Sequence, residues 1–246
     1  MSDGLYIAAS GALARLHDLE IVANNLANTD TVGFKRDRPT FESVLQSSLL
    51  GAGSEPIAGA TGRSFARVDG VATDFGSGPT VSTGGALDVA IRGRGFFQVD
   101  TPAGTRYTRS GAFQTSADGT LVTAAGGEVA GEGGPLDSGG RSVRLLASGD
   151  LVDDRGVSLG RLRVVDFESP ERLSKDGNSL YRAPDGLDPT DLEDFDLLPG
   201  SLEQSNVEPV RELAALVTLQ RSFDASMRTI TSNDRITRQL IEEITG

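Results

Sequence analysis

Cysteine and tryptophan are absent from the 246-residue sequence, and aromatic residues make up only 5% of it. The lack of cysteine excludes disulfides and thiolate metal sites. The one histidine, His17, has no convergent partners that would support catalysis or metal binding, and we interpret it as a partly exposed helical residue. The sequence also lacks a basic leader before an apolar run, and any apolar run of membrane-spanning length. It therefore predicts no cleaved signal peptide and no direct membrane insertion.

Positive charge is also scarce, since the formal net charge is -12 and the pI is near 4.6. Such a chain repels nucleic acid and anionic lipid surfaces, so we expect no nucleic-acid partner. The sequence contains no phosphate-binding glycine loop, no nucleophile elbow and no zinc-protease motif. It therefore predicts that the protein is not an enzyme and has no catalytic, cofactor-binding or metal-binding residues.

One acidic segment and two basic pairs are candidate binding sites. The acidic segment does not have the spacing of a calcium-binding loop, and we interpret it as solvated. The basic pairs, in so acidic a chain, are expected to form ion pairs within or between subunits. The acidic residues are Asp185, Asp188, Asp191, Glu193, Asp194 and Asp196, and the basic pairs are Lys35 with Arg36 and Arg92 with Arg94.

The N-terminal stretch has apolar residues at alternating intervals of four and three, which is the repeat of a coiled-coil seam. Several members of this seam are small and would let a partner helix approach closely. Asparagines and then Gly33 end the pattern and predict a turn. The seam consists of Leu5, Ala9, Ala12, Leu16, Leu19, Ala23 and Leu26.

The C-terminal stretch has the same kind of periodicity and contains no interior glycine or proline. Ser205 and Glu208 have the spacing of a capping box, which predicts a helix over 207–244, on the order of 57 Å long. The seam residues that we expect in an assembly interface are Leu216, Phe223, Met227 and Ile230.

The middle of the chain instead alternates short apolar runs with turn residues, which is typical of β-strands. Strands are predicted around 87–91, 96–99, 143–146, 159–166 and 180–182. Asp118 and Gly119 separate two further runs, at 113–115 and 121–123, and predict a hairpin with a type I′ turn.

These zones predict an α+β fold in which long N- and C-terminal helices pair as a coiled-coil-like terminal domain around an inserted, mainly antiparallel β domain. The predicted limits are 1–35 for the N-terminal helix, 36–204 for the β domain, with an extended Gly-rich segment at 51–79, and 205–246 for the C-terminal helix. Apolar stripes at both ends favour assembly with other chains.

Several strings resemble the signatures of the flagellar basal-body rod and hook family. The strings are ANNLAN at 23–28, TVGFKR at 31–36, LDVAIRGRGFF at 87–97, YTRSGAF at 107–113, SNVEPV at 205–210 and QRSF at 220–223. The first two contribute the family-signature residues Asn24, Asn25, Asn28, Gly33, Phe34 and Lys35. Residues from about 136 to 202 carry little of the pattern.

This resemblance implies a structural subunit of the rod, most similar to the proximal-rod member of the family, which transmits torque. It implies assembly with other rod and axial proteins and with its own copies. It also implies export by the flagellar type III apparatus without a cleaved signal peptide, and a location in the periplasmic part of the basal body. The distal-rod member of the family is the main alternative.

Two rivals come from other classes of protein. One is a β-rich exported cell-wall enzyme with helical oligomerisation ends, for which the acidic segment is the only candidate active site. The other is a soluble adaptor whose helices form a simple coiled coil.

Overall fold

The computed structural model describes residues 2–45 and 64–245 of the chain. These residues form two compact units, one of residues 2–24, 37–45, 64–72 and 210–245 and the other of residues 25–36 and 73–209. We call the first the terminal unit and the second the β unit. The domain limits expected from the sequence stay a prediction.

The terminal unit contains two long helices and one pair of strands. Helix α1 spans Ser2–Ala27 and helix α2 spans Pro209–Thr245. Strands β1 (Asp37–Leu45) and β2 (Ser64–Thr73) form a two-stranded sheet. The 37 residues of α2 correspond to a length of about 55 Å. Within the described residues, neither helix has the combined length and apolarity needed to cross a bilayer.

The fold is α+β, but the expected coiled-coil pair of terminal helices is wrong. Among the described residues the two helices form no long coiled-coil pair. In α1, Ala12, Asp18 and Ile21 are buried, whereas Leu16 of the predicted seam is 43% exposed. The periodicity located the helix correctly, but a charged side chain of this helix is buried and a leucine of the seam is exposed.

The predicted capping box is also wrong. Helix α2 begins at Pro209, where the missing amide hydrogen is tolerated, rather than directly after Ser205. The Ser205 hydroxyl instead accepts a hydrogen bond from the Val207 amide at 3.2 Å, and Asn206 bonds to distant parts of the chain. The expected Gly-rich segment 51–79 is described only from residue 64, and its first thirteen residues lie outside the described residues.

The β unit is built entirely from antiparallel strand pairs. Its first strands are β3 (Thr80–Ser82), β4 (Val89–Arg92), β5 (Phe96–Thr101), β6 (Gly104–Thr108), β7 (Phe113–Thr115), β8 (Leu121–Thr123), β9 (Glu128–Gly131) and β10 (Gly134–Pro135). Next come β11 (Val143–Leu145), β12 (Asp150–Asp153), β13 (Ser158–Arg161) and β14 (Val164–Asp166), then a short 3-10 helix, Pro170–Arg172. The last are β15 (Ser174–Lys175), β16 (Leu180–Arg182), β17 (Thr190–Asp191), β18 (Asp196–Pro199) and β19 (Ser201–Glu203).

Ten of these strands form one large sheet, whose main path runs β15-β16-β6-β5-β9-β8-β7. Strand β14 also pairs with β5 and with β17, and β10 pairs with β9. Strands β11, β12 and β13 form a three-stranded sheet. The last two strands pair with the first two, β18 with β4 and β19 with β3, so the end of the β unit is joined to its beginning.

The predicted hairpin between β7 and β8 is confirmed, but its turn type is wrong. Phe113 pairs with Thr123, and the Gly119 amide donates to the Ser116 carbonyl at 3.0 Å. Only Gly119 has a left-handed φ, of +94°, whereas a type I′ turn needs positive φ at both central residues. The loop is therefore a four-residue turn, 116–119, whose last residue is a left-handed glycine.

The core of the β unit consists of two apolar clusters. One surrounds Phe97, Leu162 and Leu197 and joins strands of the ten-stranded sheet, the three-stranded sheet and the pair of β4 and β18. The other is aromatic, with Phe96, Phe167, Tyr107 and Tyr181 in edge-to-face contacts. Every strand predicted from the sequence contributes to this unit, which folds around its own apolar residues.

Candidate functional site: a buried ionic anchor

Three charged side chains meet inside the β unit, and we call Lys35, Arg109 and Glu203 the ionic anchor. Lys35 Nζ donates to Glu203 Oε1 at 2.6 Å and to the Gly76 carbonyl at 2.9 Å. Arg109 Nη1 lies 3.5 Å from Glu203 Oε2 and donates to the Gly93 carbonyl at 2.9 Å. All three anchor side chains are almost completely buried. One carboxylate therefore faces two cations in a site closed to water.

In the anchor, burial and the attraction of Glu203 shift the pKa values of the two cations in opposite directions. Burial lowers the pKa of Lys35, and the charge and hydrogen bond of Glu203 act against this shift. Burial likewise lowers the pKa of Arg109, again against the attraction of Glu203. The Arg109 guanidinium also lies 5.1 Å from the centroid of the Phe96 ring, where a cation is attracted to the aromatic face. Glu203 is thus the group that makes burial of both cations tolerable.

Asn206 joins three segments of the chain beside the anchor. Its Oδ1 accepts from the Arg36 amide at 2.7 Å. Its Nδ2 donates to the Asp74 carbonyl at 2.8 Å and to the Gly76 carbonyl at 3.0 Å. The Asp74 amide in turn donates to the Arg36 carbonyl at 2.8 Å. The segment that follows α1 and the segment that precedes α2 are therefore both held to residues 74–76 of the β unit.

Gly33 makes the turn that brings Lys35 into the anchor. Its φ is +68°, as expected for a glycine turn, and its amide donates to the Glu203 carbonyl at 2.8 Å. A Cβ atom at this position would lie 2.3 Å from the backbone nitrogen of Ser110. Only glycine fits because both the backbone angle and the space require it.

The signature residues next to Gly33 are also held in place. The Phe34 ring is buried, and Lys175 Nζ lies 3.8 Å from its centroid. The same ammonium donates to the Lys35 carbonyl at 2.5 Å. Strand β15 therefore holds two consecutive signature residues with one side chain.

The asparagines of the signature lie at the end of α1. Asn25 is buried, and its carbonyl accepts from the Asn28 amide at 3.1 Å. The Asn28 side-chain oxygen accepts from the Thr31 hydroxyl at 3.1 Å. Asn24 is exposed. These contacts end the helix and start the turn at Gly33, as the sequence predicts.

The expected interface residues lie in varied environments. In α1, Ala12 is buried, Leu19 and Leu26 are half-buried, and Leu16 and Ala23 are exposed. The side chains of Leu5 and Ala9 lie outside the described residues. In α2, Met227 is exposed, and the half-buried positions are Leu216, Phe223 and Ile230. The role of these residues in assembly stays a prediction.

Several large apolar side chains outside the expected interface set are more exposed than the large apolar residues within it. Val210 is 80% exposed, and Leu213 and Val217 are about half exposed on the same helix. With Met227 they fall within about 100° of one another around the axis of α2. Leu13, beside Leu16 on α1, is 68% exposed. Intervals of three and four do not reveal which of two adjacent stripes a chain leaves uncovered.

The other candidate groups have ordinary partners. His17 Nδ1 lies 3.6 Å from a carboxylate oxygen of Glu20 on the same helix. In the acidic segment, Asp191 accepts from Arg163 at 2.6 and 3.0 Å. Within the residues that the structure describes, His, Asp and Glu side chains form no cluster able to hold a metal ion.

The basic pairs are engaged in ion pairs within the chain, as expected. Lys35 pairs with Glu203, Arg36 with Asp74 at 3.4 Å, Arg92 with Asp196 at 3.2 Å and Arg94 with Asp166 at 3.9 Å.

Sequence reasoning missed the chemical roles of Glu203, Arg109 and Asn206. Arg109 and Asn206 appeared only within strings that resemble a family, and Glu203 was not singled out. The one available signal was a charged residue directly after Leu202 in a short strand, which is too common to identify a buried ion. The partners Lys35 and Glu203 are 168 positions apart, so only the fold brings them together.

Within the β unit, the anchor and Asn206 connect the segment that follows α1 to the segment that precedes α2. Three family models match the sequence. They are the flagella basal body rod protein model at residues 5–35, the flagellar hook protein FlgE/F/G D1 domain at 90–161 and the flagellar basal body rod FlgEFG protein C-terminal model at 198–243. Lys35, Arg109 and Glu203 each lie in a different one of these matches.

Full-length relatives agree with the family models. The chain is 33% identical to the flagellar basal-body rod protein FlgF of Caulobacter vibrioides, over 99% of this chain and 98% of the relative. It is 34% identical to the flagellar basal-body rod protein FlgG of Bacillus subtilis, over 98% of each chain. It is 33% identical to FlgF of Mesorhizobium japonicum, over 98% of each chain.

The chain belongs to the flagellar basal-body rod protein family. It is a structural rod subunit of the bacterial flagellar basal body and not an enzyme, which excludes the cell-wall hydrolase considered from the sequence. As a rod subunit it assembles with other rod and axial proteins.

Proposed function

We propose that this rod subunit lies in the proximal segment of the rod and transmits torque by packing its terminal helices against other chains. The observation that carries the proposal is the exposed apolar stripe of α2, which consists of Val210, Leu213, Val217 and Met227. Exposed apolar stripes of this kind are typical of surfaces that are covered in an assembly. The partners are helices of its own copies and of other axial proteins.

Packing of the stripe supplies the energy of assembly in this account. Full burial of one Val, Leu or Met side chain contributes about 1.5–3 kcal/mol. Repetition of such contacts along a helix of about 55 Å, and from one subunit to the next, produces a stiff polymer. The seam residues Leu16 and Leu19 of α1 belong to the same proposed interface.

The ionic anchor supports this role because torque must pass between the helices and the β unit. Glu203 and Asn206 hold the segment that leads to α2, and they also bind the backbone or side chains of Gly33, Lys35 and Arg36, which follow α1. Charge-assisted hydrogen bonds in a buried site are strong and directional. Both helices therefore leave the β unit from points that are fixed to each other.

We also propose that the chain is exported by the flagellar type III apparatus without a cleaved signal peptide and works in the periplasm. Support comes from the match of both terminal segments to the rod family.

A distal-rod position is the alternative, because relatives named FlgF and FlgG match this chain at similar identity. Cryo-electron microscopy of basal bodies from the strain that makes this chain would separate the two. The proposal expects side-chain density for the sequence in the proximal segment of the rod. Density for it in the distal segment instead would contradict the proposed position.

A substitution in the helix tests the role of the stripes. Leu16→Asp, at a position that is 43% exposed, is expected to leave the β unit folded and to abolish incorporation into rods and swimming motility. The reason is that a carboxylate buried at a helix contact has no counter-charge. Val157→Asp, at an exposed apolar residue of the β unit, is the matched control and should leave motility intact. A motile Leu16→Asp strain would contradict the proposed interface.

A further inference from the structure

The last strands of the β unit complete its first ones. Strand β18 pairs with β4, and Leu197 of β18 is buried in the main apolar core. Strand β19 pairs with β3, and the Gln204 amide then donates to the Pro79 carbonyl at 2.8 Å. Residues 196–206 are thus an integral layer of the unit, although they come after almost all of its other residues in the chain.

The same segment brings the carboxylate that pairs with two buried cations. Lys35 and Arg109 belong to the first half of the chain, and Glu203 comes near its end. Within residues 2–45 and 64–245, Glu203 is the carboxylate found within ion-pair distance of either cation, at 2.6 Å from Lys35 and 3.5 Å from Arg109. Asp74 and Asp166 attract Lys35 and Arg109, respectively, more weakly and from farther away. Without Glu203, folding would bury two cations with no carboxylate at ion-pair distance, which is strongly unfavourable.

We propose that Glu203 controls completion of the fold: the β unit becomes stable only when residues 201–206 dock and neutralise Lys35 and Arg109. A chain that is made or threaded from its N-terminus has the two cations long before it has Glu203. The β unit consequently stays unfolded until the end of its own sequence is present. For an exported chain, as proposed above, this delays folding during passage, but the inference rests on the β unit alone.

Two substitutions in the full-length chain test two effects separately. One tests the effect of the Glu203 charge, and the other tests the effect of docking residues 201–206. Glu203→Met removes the carboxylate and keeps a side chain of similar length. Gly78→Ala prevents docking without changing a charge, because a Cβ atom there would lie 2.1 Å from the Gln204 carbonyl oxygen. Alanine is compatible with the backbone at position 78, since its φ is outside the left-handed region.

Urea unfolding followed by tyrosine fluorescence gives the readout, since Tyr107 and Tyr181 are buried in the β unit. Glu203→Met is expected to lower the urea midpoint by at least half or to abolish the cooperative transition. The triple variant Lys35→Met, Arg109→Met, Glu203→Met should recover most of the midpoint, because no unpaired charge is buried. Glu132→Met, which removes an exposed ion pair with Arg161, is the control and should leave the midpoint unchanged.

Gly78→Ala completes the test when it is introduced into the natural sequence and, separately, into the triple-methionine variant. In the natural sequence it should lower the midpoint at least twice as much as in the triple-methionine chain, because only the natural sequence has cations that undocking leaves unpaired. Equal losses in the two backgrounds would overturn the proposal. A triple variant that is no more stable than Glu203→Met, including one that also fails to fold, would overturn it as well.

Discussion

The β unit and the terminal helices contain the same kinds of apolar residue, but these residues are mostly buried in the β unit and often exposed on the helices. In the β unit, Phe97, Val99 and Leu162 have no exposed surface. On the helices, Leu13 and Val210 are mostly exposed. A sheet that is wrapped by its own strands buries its apolar residues within one chain, whereas a long helix can bury a stripe only against another element. In the proposed assembly, the β unit folds around its own core, and the exposed stripes of the helices are covered by other subunits.

The largest expected effect concerns the turn that joins α1 to the β unit. Gly33→Val should destabilise the β unit by about 4 kcal/mol, because it combines an unfavourable φ with a backbone clash. Gly84→Val is the matched control, with a similar φ of +72° and no atom within 4 Å of the added Cβ, and should cost about 1–2 kcal/mol. Chemical denaturation of both variants measures the difference. Equal losses of unfolding free energy in the two variants would show that the close approach of Gly33 to Ser110 is unimportant.

A pair of leucine truncations tests the comparison itself. Leu162→Ala, in the core of the β unit, should lower the free energy of unfolding by about 3 kcal/mol, since it leaves a cavity. Leu213→Ala, on the exposed stripe of α2, should change it by no more than about 0.5 kcal/mol. In rod assembly the order should reverse, with Leu213→Ala the more harmful of the two once chain abundance is matched. A large loss of monomer stability in Leu213→Ala would break the distinction.

The smallest expected effect has the opposite sign. Gly11 lies within α1, and an added Cβ atom would meet nothing within 4 Å. Gly11→Ala should therefore stabilise α1 by about 0.5–1 kcal/mol through helix propensity. Circular dichroism should show greater helicity, with no change in the urea midpoint of the β unit. Unchanged or lower helicity would mean that α1 is limited by something other than backbone propensity.

Much of the architecture could be predicted from the sequence because its signals are local. Helix periodicity located α1 and α2, and alternation located strands such as Phe96–Thr101 and Leu180–Arg182. The pair Asp118 and Gly119 located a hairpin, but its turn type depends on φ values that this pair leaves open. Local signals therefore predict the positions of helices and strands more accurately than they predict the geometry of the turns.

The missed features depend on distant residues. Spacing alone could not show that Asp18 would be buried while Leu16 remained exposed, because a helical repeat does not tell which side of the helix other parts of the chain cover. Glu203 could not be assigned to Lys35 without the pairing of β19 with β3, which brings the two together. Buried ion pairs are chosen by the three-dimensional fold and leave little trace in sequence pattern.

Hydrogen exchange of the isolated full-length chain tests the central claim most directly. The account predicts slow exchange for the amides of β5, β6 and β9 and fast exchange for those of α1 and α2, because helices with uncovered stripes open readily. Assembly into rods should slow exchange in the helices and leave the β unit unchanged. Helices that are already as protected as β5 in the isolated chain would contradict the account.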